Sequence, residues 1–343
     1  MTDVGLALAL LSLALTGALI GLRKLNEEAQ KPVHLPATRV AFGSCLKQDL
    51  PQGVWNTIAA TNPDCFLFLG DNVYNDTEDM AVMARVYAEL GAHPEYAAFK
   101  SAVPVYATWD DHDYGVNDGG VEYPKKEESK KIMLDFFDEP ADSERRKRPG
   151  IYTSYACGPD GNRLQIILLD LRWFRTPIVW DEKAGGYVPT TDPNATMIGA
   201  EQWRWLEEEL KKPADLRLIG SSLQMVSSEH NWEKWSNFPH EKKRLYELFD
   251  RLAVPNAFVL SGDMHYGELS VEKTAGGTTV YDLTSSGMNY HEPGAHFPNS
   301  GRLAVHDRSP NFGLVEIDWE RRVVSLQVRD DKGLTVLRHD VQF

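Results

Sequence analysis

The run Cys65-Phe-Leu-Phe-Leu69 is apolar at every position and ends abruptly in Gly70-Asp-Asn-Val-Tyr74. A strand with one wet face alternates apolar and polar residues, so an unbroken run predicts a strand buried on both faces, with layers above and below it. Ala257-Phe-Val-Leu-Ser261 repeats the pattern and breaks into Gly262-Asp-Met-His265. Arg39-Val-Ala-Phe-Gly43 leads into Gly43-Ser-Cys-Leu46, and a strand over Val103–Trp109 runs into Asp110-Asp-His-Asp113. The chain is therefore expected to bury strand bodies while collecting polar groups at their carboxyl ends, where α/β sheets commonly place active groups.

The remaining periodicity fills in a layered α/β arrangement. Helices are expected over 54–61, 79–90, 95–102, 123–137, 202–211 and 241–253, and strands over 151–156, 164–170 and 216–221. From residue 268 the pattern alternates in the β manner (268–274, 278–284, 314–319, 323–328, 334–341). Residues 180–195, rich in Gly, Pro, Thr and Asp, read as a loop, and the basic stretch Arg145–Arg148 as solvated surface. Mixed βα units with appended hairpins favour a layered sandwich over a barrel.

Composition narrows function. With 50 acidic against 36 basic residues, a net charge of -14 disfavours binding nucleic acid or anionic lipid through charge. An anionic substrate would need metal ions to draw it in. Cys45, Cys65 and Cys157 are scattered and odd in number, which is not a disulfide framework. Val4–Leu22 is uncharged and followed by Arg23 and Lys24, a length that fits a membrane-spanning helix. No basic region precedes it and no clear cleavage site follows, so an anchor is preferred to a cleaved signal or a core helix. The division expected is a hydrophobic signal or anchor segment over 1–25, a linker over 26–38 and one catalytic domain over 39–343, with membrane-anchored or exported localisation.

The strand ends carry Cys45, Asp71, Tyr74, Asp111, His112, Asp263 and His265, a set that suits transition metals or a mixed hard and soft pair. Asp71, at a strand tip, is the natural carboxylate to bridge two ions. Tyr74 taken alone would be a core or rim residue; beside Asp71 it offers a phenolate, which only a strongly Lewis-acidic ion such as ferric iron would deprotonate at neutral pH. Cys45 follows a strand and a Gly-Ser pair, a position favouring a ligand over a packed thiol. The pattern does not choose among Asp110, Asp111 and Asp113. His112 among those acids should stay protonated and could donate to a leaving-group oxygen.

Phe42-Gly-Ser-Cys45, Gly70-Asp-Asn-Val-Tyr74, Trp109-Asp-Asp-His-Asp113, Leu168-Leu-Asp-Leu-Arg172 and Ser261-Gly-Asp-Met-His265, in that order, resemble the alkaline phosphatase D (PhoD-like) branch of the calcineurin-like metallophosphoesterases. The resemblance runs from about residue 38 to 343. It implies a four-layer αββα sandwich, a dinuclear or larger metal centre, and hydrolysis of phosphate esters by in-line attack of a metal-bound hydroxide, with His112 assisting the leaving group. It carries a bridging role to Asp71, an iron-binding role to Tyr74, and ligand roles to Cys45, Asp111, Asp263 and His265. Asp110 and Asp113 are then left to orient His112 and hold its charge. Those acidic ligands suggest Fe(III) beside Ca(II) or Zn(II). Gln224 is the substitute for a ligand with no obvious counterpart, Asn117 a further oxygen ligand, and Arg172 either a phosphate clamp or a structural ion pair. Trp232, Trp235, Tyr290, His291 and His296 are candidates to line the groove. A phosphate ester is the expected substrate and no protein partner is expected. The alternative is a non-catalytic metal- or ligand-binding module on a membrane anchor.

Overall fold

The computed structural model describes residues 36–294 and 297–343; the expected N-terminal hydrophobic helix lies outside them. Among the described residues no helix is long and apolar enough to cross a membrane. The strands are β1 (Arg39–Gly43), β2 (Cys65–Leu69), β3 (Val105–Thr108), β4 (Thr153–Cys157), β5 (Leu164–Leu168), β6 (Val179–Asp181), β7 (Gly186–Val188), β8 (Leu216–Ser221), β9 (Ala257–Ser261), β10 (Gly267–Lys273), β11 (Thr279–Ser285), β12 (Arg302–His306), β13 (Asn311–Asp318), β14 (Val323–Asp330) and β15 (Thr335–Gln342).

They form two large mixed sheets, ordered β15-β14-β13-β1-β2-β3 and β12-β10-β11-β9-β8-β5-β4, with β6 and β7 as a separate hairpin. One half of the first sheet is parallel, β1, β2 and β3 with β3 at its edge, and so is the middle of the second, β11, β9, β8 and β5. Parallel neighbours end together, as Leu69 opposite Thr108 and Ser221 opposite Ser261 illustrate. Within each sheet the polar breaks that follow the parallel strands are thereby brought side by side.

The alternation within β2 explains the layering. Phe66 and Phe68 point outward and pack with Trp55, Met83, Tyr87, Tyr96 and Phe99 from helices α1 (Val54–Ala59), α2 (Met80–Ala92) and α3 (Pro94–Ala102). Cys65, Leu67 and Leu69 point inward against Leu164, Ile166, Leu168, Leu218 and Leu260 of the second sheet. The outer face of that sheet, Ile167, Ile219 and Val259, is covered by Trp203, Leu206, Leu245 and Phe249, residues in the helical segments 199–211 and 239–252. Helices therefore flank a pair of sheets whose inner faces meet, and truncating an inner residue such as Leu67 to Ala would cost about 2–5 kcal/mol.

Three local expectations are corrected. Arg145 is buried in a four-residue helix, where its guanidinium donates to the carbonyls of Ile151 and Ala107, both at 2.7 Å, and pairs with Glu139 at 2.9 Å. It serves as an internal brace; of its neighbours in the basic run only Lys147 is exposed, while Arg146 and Arg148 are half-buried and donate to backbone carbonyls. The first part of residues 180–195, expected as loop, belongs to the β6–β7 hairpin (179–188), where Tyr187 is pinned through its backbone to Asn231 and through its hydroxyl to Asp118. The last linker residues belong to the folded unit: the Ala37 carbonyl accepts from Trp319 and Thr38 is bonded to Asp64.

Candidate metal centre

The turn after β2 is built around Asp113. Its carboxylate accepts the backbone N–H of Asp71 at 3.2 Å, of Asn72 at 3.2 Å and of Asp110 at 2.7 Å, locking the end of β2 to the end of β3. Gly70 (φ 101°) lies so close that an added Cβ would strike Asp110. The sheets approach as closely at Gly262, where a Cβ would lie 2.5 Å from the Ser44 hydroxyl. Four proposed ligands adopt the left-handed region that non-glycine residues rarely use: Cys45 (57°), Asp71 (50°), Asp263 (67°) and His265 (58°). Such strain persists only where surrounding structure enforces it, and it concentrates at functional sites.

The ligand atoms of Cys45, Asp71 and His265 lie within 4.8 Å of one another. Asp71 Oδ2 is 3.3 Å from the Cys45 sulfur and 3.0 Å from the Tyr74 hydroxyl, which in turn is 3.4 Å from His265 Nε2. His265 Nδ1 faces the Tyr290 carbonyl at 3.1 Å, which assigns its proton to Nδ1 and leaves the Nε2 lone pair directed at the cluster. Burial lowers the pKa of His265, keeping it neutral.

A second group surrounds Asp111, which converges with Asp71 and His112, with Asp110 and Asp263, and with Asp118 and Glu233. Asp71 Oδ1, Asp110 Oδ2 and Asp111 Oδ1 are buried without a hydrogen-bond partner. Burial, with Cys45 and Asp111 nearby, pushes the Asp71 carboxyl well up; burial and the charges of Asp110 and Asp111 do the same to Asp263. Burial pushes the Cys45 thiol up to about 11, with Asp263 adding to it. Burial opposes ionisation of Asp111 too, but Arg172 and His112 hold it at about 2. Orphaned carboxylate oxygens that repel one another fit a site for two or more cations, since bound cations reverse each of these penalties.

His112 is oriented by a residue the sequence reading did not select. Its Nδ1 lies 2.7 Å from Asp76 Oδ2, and its ring lies over Tyr74 with centroids 4.3 Å apart. Burial works against the imidazolium, but the hydrogen bond to Asp76, helped by Asp71 and Asp111, raises its pKa to about 10. Asp110 and Asp113, expected to orient it, are engaged elsewhere: Asp113 in the backbone turn, Asp110 with Ser222 at 2.8 Å and with Arg172.

Arg172 is fully buried, paired to Asp110 and to Glu233 at 2.6 Å, and 3.8 Å from Asp111. Of its two expected roles this is the structural ion pair; it neutralises carboxylates from behind. Gln224 donates to Glu268 at 2.9 Å and to Thr284 at 2.8 Å and does not line the cavity. Asn117 does line it, its amide nitrogen spent on Asp118. Trp232 is in the wall, whereas Trp235 is buried against Ser221, Tyr290 packs behind His265, and His296 lies outside the described residues.

The cavity, of about 220 Å³, is walled by Asp71, Asp111, His112, Asp263 and His265 together with Asn117, Asp118, Glu233, Met264, Trp232, Glu292 and Phe297. Of these, Asp118, Glu233, Met264, Glu292 and Phe297 were missed. Met264 sits between Asp263 and His265 with a side chain that suggests no ligand role, and the other four lie in irregular segments without a strand run to mark them.

Two facing mixed sheets with a multi-carboxylate centre over their parallel strand ends define the class as a metallophosphoesterase fold. The model of the PhoD-like phosphatase family matches residues 84–292, and the chain belongs to that family. Cys45, Asp71 and Tyr74 precede the matched stretch. Alkaline phosphatase D of Bacillus subtilis (strain 168) is 23% identical over 278 residues, covering 68% of this chain and 46% of that protein. This chain thus spans less than half the length of that relative. A solved structure of PhoD is similar in fold, with a TM-score of 0.69 at 16% identity over 89% of this chain and 72% of that one. A dimetal phosphatase from Danio rerio is similar with a TM-score of 0.52 at 13% identity over 90% and 99% of the two chains.

Proposed function

We propose that the chain is a metal-dependent hydrolase of phosphate esters whose centre holds two or more ions, ferric iron with calcium or zinc. The observation that carries this reading is a chain of overlapping ligand groups, Cys45 with Asp71 and His265, Asp71 with Asp111 and His112, and Asp110 with Asp111 and Asp263, in which Asp71, Asp110 and Asp111 each keep a buried carboxylate oxygen without a partner, beside a cavity with His112 in its wall. Cys45, Tyr74 and His265 would hold one ion, and Asp111, Asp263 and Asn117 another, with Asp71 shared. Bound there, the ions supply Lewis acidity toward phosphoryl oxygens and lower the pKa of water.

The chain's own residues supply the rest. His112 donates its Nδ1–H in a hydrogen bond to Asp76, so Nε2–H is the group that can be given to a leaving-group oxygen, and the imidazolium is the favoured form. Arg172 sets the charge of Asp110 and Asp111 without touching substrate. No Lys or Arg is among the described residues lining the cavity, so His112 is the lining side chain that brings positive charge to phosphate. That supports singly charged diesters over doubly charged monoesters. We also propose that the protein is membrane-tethered or exported, a reading supported by the length of the uncharged run Val4–Leu22.

The test is chelation followed by reconstitution with iron, calcium, zinc and manganese, singly and in pairs, assayed on p-nitrophenyl phosphate and bis(p-nitrophenyl) phosphate. Activity should require reconstitution, favour the diester, and accompany a visible charge-transfer band that disappears in Tyr74→Phe. Full turnover by metal-free protein would overturn the reading; full turnover by colourless, iron-free protein would remove iron from it.

A further inference from the structure

We infer that the cavity contains, beside the metal centre, a subsite for an ammonium group, so that the preferred substrate is a phosphodiester of an aminoalcohol. The inference rests on the phosphoesterase reading and adds the chemical class of the esterified alcohol.

Two aromatic side chains belong to the cavity wall. Trp232 and Phe297 both line it and meet edge to face, with centroids 6.5 Å apart and planes at 89°. Trp232 remains 50% exposed, an apolar area that packing within the chain does not account for. Its backbone carbonyl is fixed by Lys234 Nζ at 2.9 Å, and that ammonium also reaches the Tyr187 carbonyl at 3.4 Å, so the Trp232 loop is tied to the β6–β7 hairpin.

Glu292 completes the subsite. It lines the same cavity, and its N–H donates to the His265 carbonyl at 3.1 Å, which anchors it beside the centre. Among the described residues its carboxylate has no hydrogen bond or ion pair. A carboxylate without a counter-ion, facing a cavity that also presents an indole and a phenyl ring, is complementary to an organic cation. The ring faces attract it through their quadrupoles, and the carboxylate does so through its charge. Of the remaining lining side chains, Asn117, Asp118, Glu233 and Met264 carry no positive charge that would compete. The same wall repels an alcohol bearing further phosphates or carboxylates.

The experiment uses the metal-loaded full chain and two chromogenic diesters, the p-nitrophenyl phosphodiesters of choline and of 3,3-dimethylbutanol. These have the same shape and differ in one positive charge. The choline ester should be favoured about tenfold in kcat/KM, with the ratio falling to about one in Glu292→Gln and in Trp232→Leu. A ratio taken within one preparation is independent of how much of it is folded or loaded. A wild-type ratio near one, or a ratio unchanged in both variants, overturns the subsite.

A binding measurement covers the case in which neither ester is hydrolysed, which would sink the phosphoesterase reading itself. The indole N–H resonance of Trp232, assigned through Trp232→Phe, should shift saturably with tetramethylammonium chloride. No shift, or the same shift with sodium chloride at equal ionic strength, overturns the subsite on its own. Turnover of glycerophosphocholine in solution, against phosphatidylcholine in vesicles, identifies whether the aminoalcohol comes from a free diester or a lipid headgroup.

Discussion

Asp76→Asn is the substitution that separates His112 as proton donor from His112 as a mere wall residue. In the metal-free protein, burial opposes the imidazolium, and the hydrogen bond to Asp76 with the nearby charges of Asp71 and Asp111 overcomes it, reaching about 10. Bound cations would cancel the contributions of Asp71 and Asp111, which leaves Asp76 as the main support. A hydrogen bond to a charged group is worth about 1.5–3 kcal/mol. Because the Asp76 side chain is 41% exposed and screened by solvent, the low end applies. At about 1.4 kcal/mol per pH unit, the basic limb of the pH–rate profile should move about one unit toward acid in Asp76→Asn. The sign follows from the role: an acid must be protonated, so activity falls as pH rises through its pKa, and lowering that pKa brings the fall earlier. The same pair has a stability signature. His112 has a raised pKa in the folded state, so its contribution is complete below about 6.5, the unfolded value, and is lost as pH climbs through about 10. The Tm difference between wild type and variant should therefore be largest in acid and vanish at the alkaline end. An unmoved basic limb, with the Tm difference behaving as described, would refute the proton-donor role while leaving the ion pair intact.

Other outcomes follow from the same geometry. His112→Ala should lose about 100-fold or more in kcat with its far-UV circular dichroism unchanged; wild-type turnover would remove the acid from the mechanism. Arg172→Met strands Asp110 and Glu233 as buried carboxylates and should cost about 3–5 kcal/mol in denaturant unfolding, because it removes one partner of a buried network. An unchanged midpoint would place the network's charge balance elsewhere. Chelated protein should lose stability as pH rises from about 4, because Asp71 and Asp263 carry raised folded-state pKa values and hold their protons only below them. Metal-loaded protein needs those carboxylates ionised, so the Tm gain from metal should grow with pH; a constant gain would mean that these groups are not the ligands.

What the sequence makes legible here depends on whether a residue acts through its neighbours in the chain or across space. Leu67 and Phe68 announce a two-faced strand because periodicity is local, and Asp71 and Asp263 announce a site because each directly follows such a strand. Glu233 and Arg172 are 61 positions apart and nothing in either segment points to the other, so their ion pair becomes visible only when the loop after β8 folds over the turn after β5. Asp76 was hidden differently: in Asn75-Asp-Thr-Glu-Asp79 it resembles the polar lead-in to a helix, and it is Asp79 that caps α2. Asp113 was credited to His112 by proximity in sequence, whereas its spacing of three from Asp110 is that of a capping box, whose backbone acceptor role the structure bears out.

Positive φ at the ligands accounts for the rest. Sequence reasoning assigns left-handed backbone to Gly and Asn, so Cys45, Asp71, Asp263 and His265 gave no warning. An extended continuation of β9 would keep Asp263 and His265, two residues apart, on one face; with both in the left-handed region, Asp263 joins Asp110 and Asp111 while His265 joins Cys45 and Asp71. The strain costs about 1–3 kcal/mol per residue and buried like charges add to it, so two unfavourable contributions fall on the same few positions. The surrounding fold holds the chain there through the Asp113 carboxylate and the close approach at Gly70 and Gly262. Such an arrangement has little reason to exist in a purely structural turn, and it is offset most directly by cations bound among the same oxygens and sulfur.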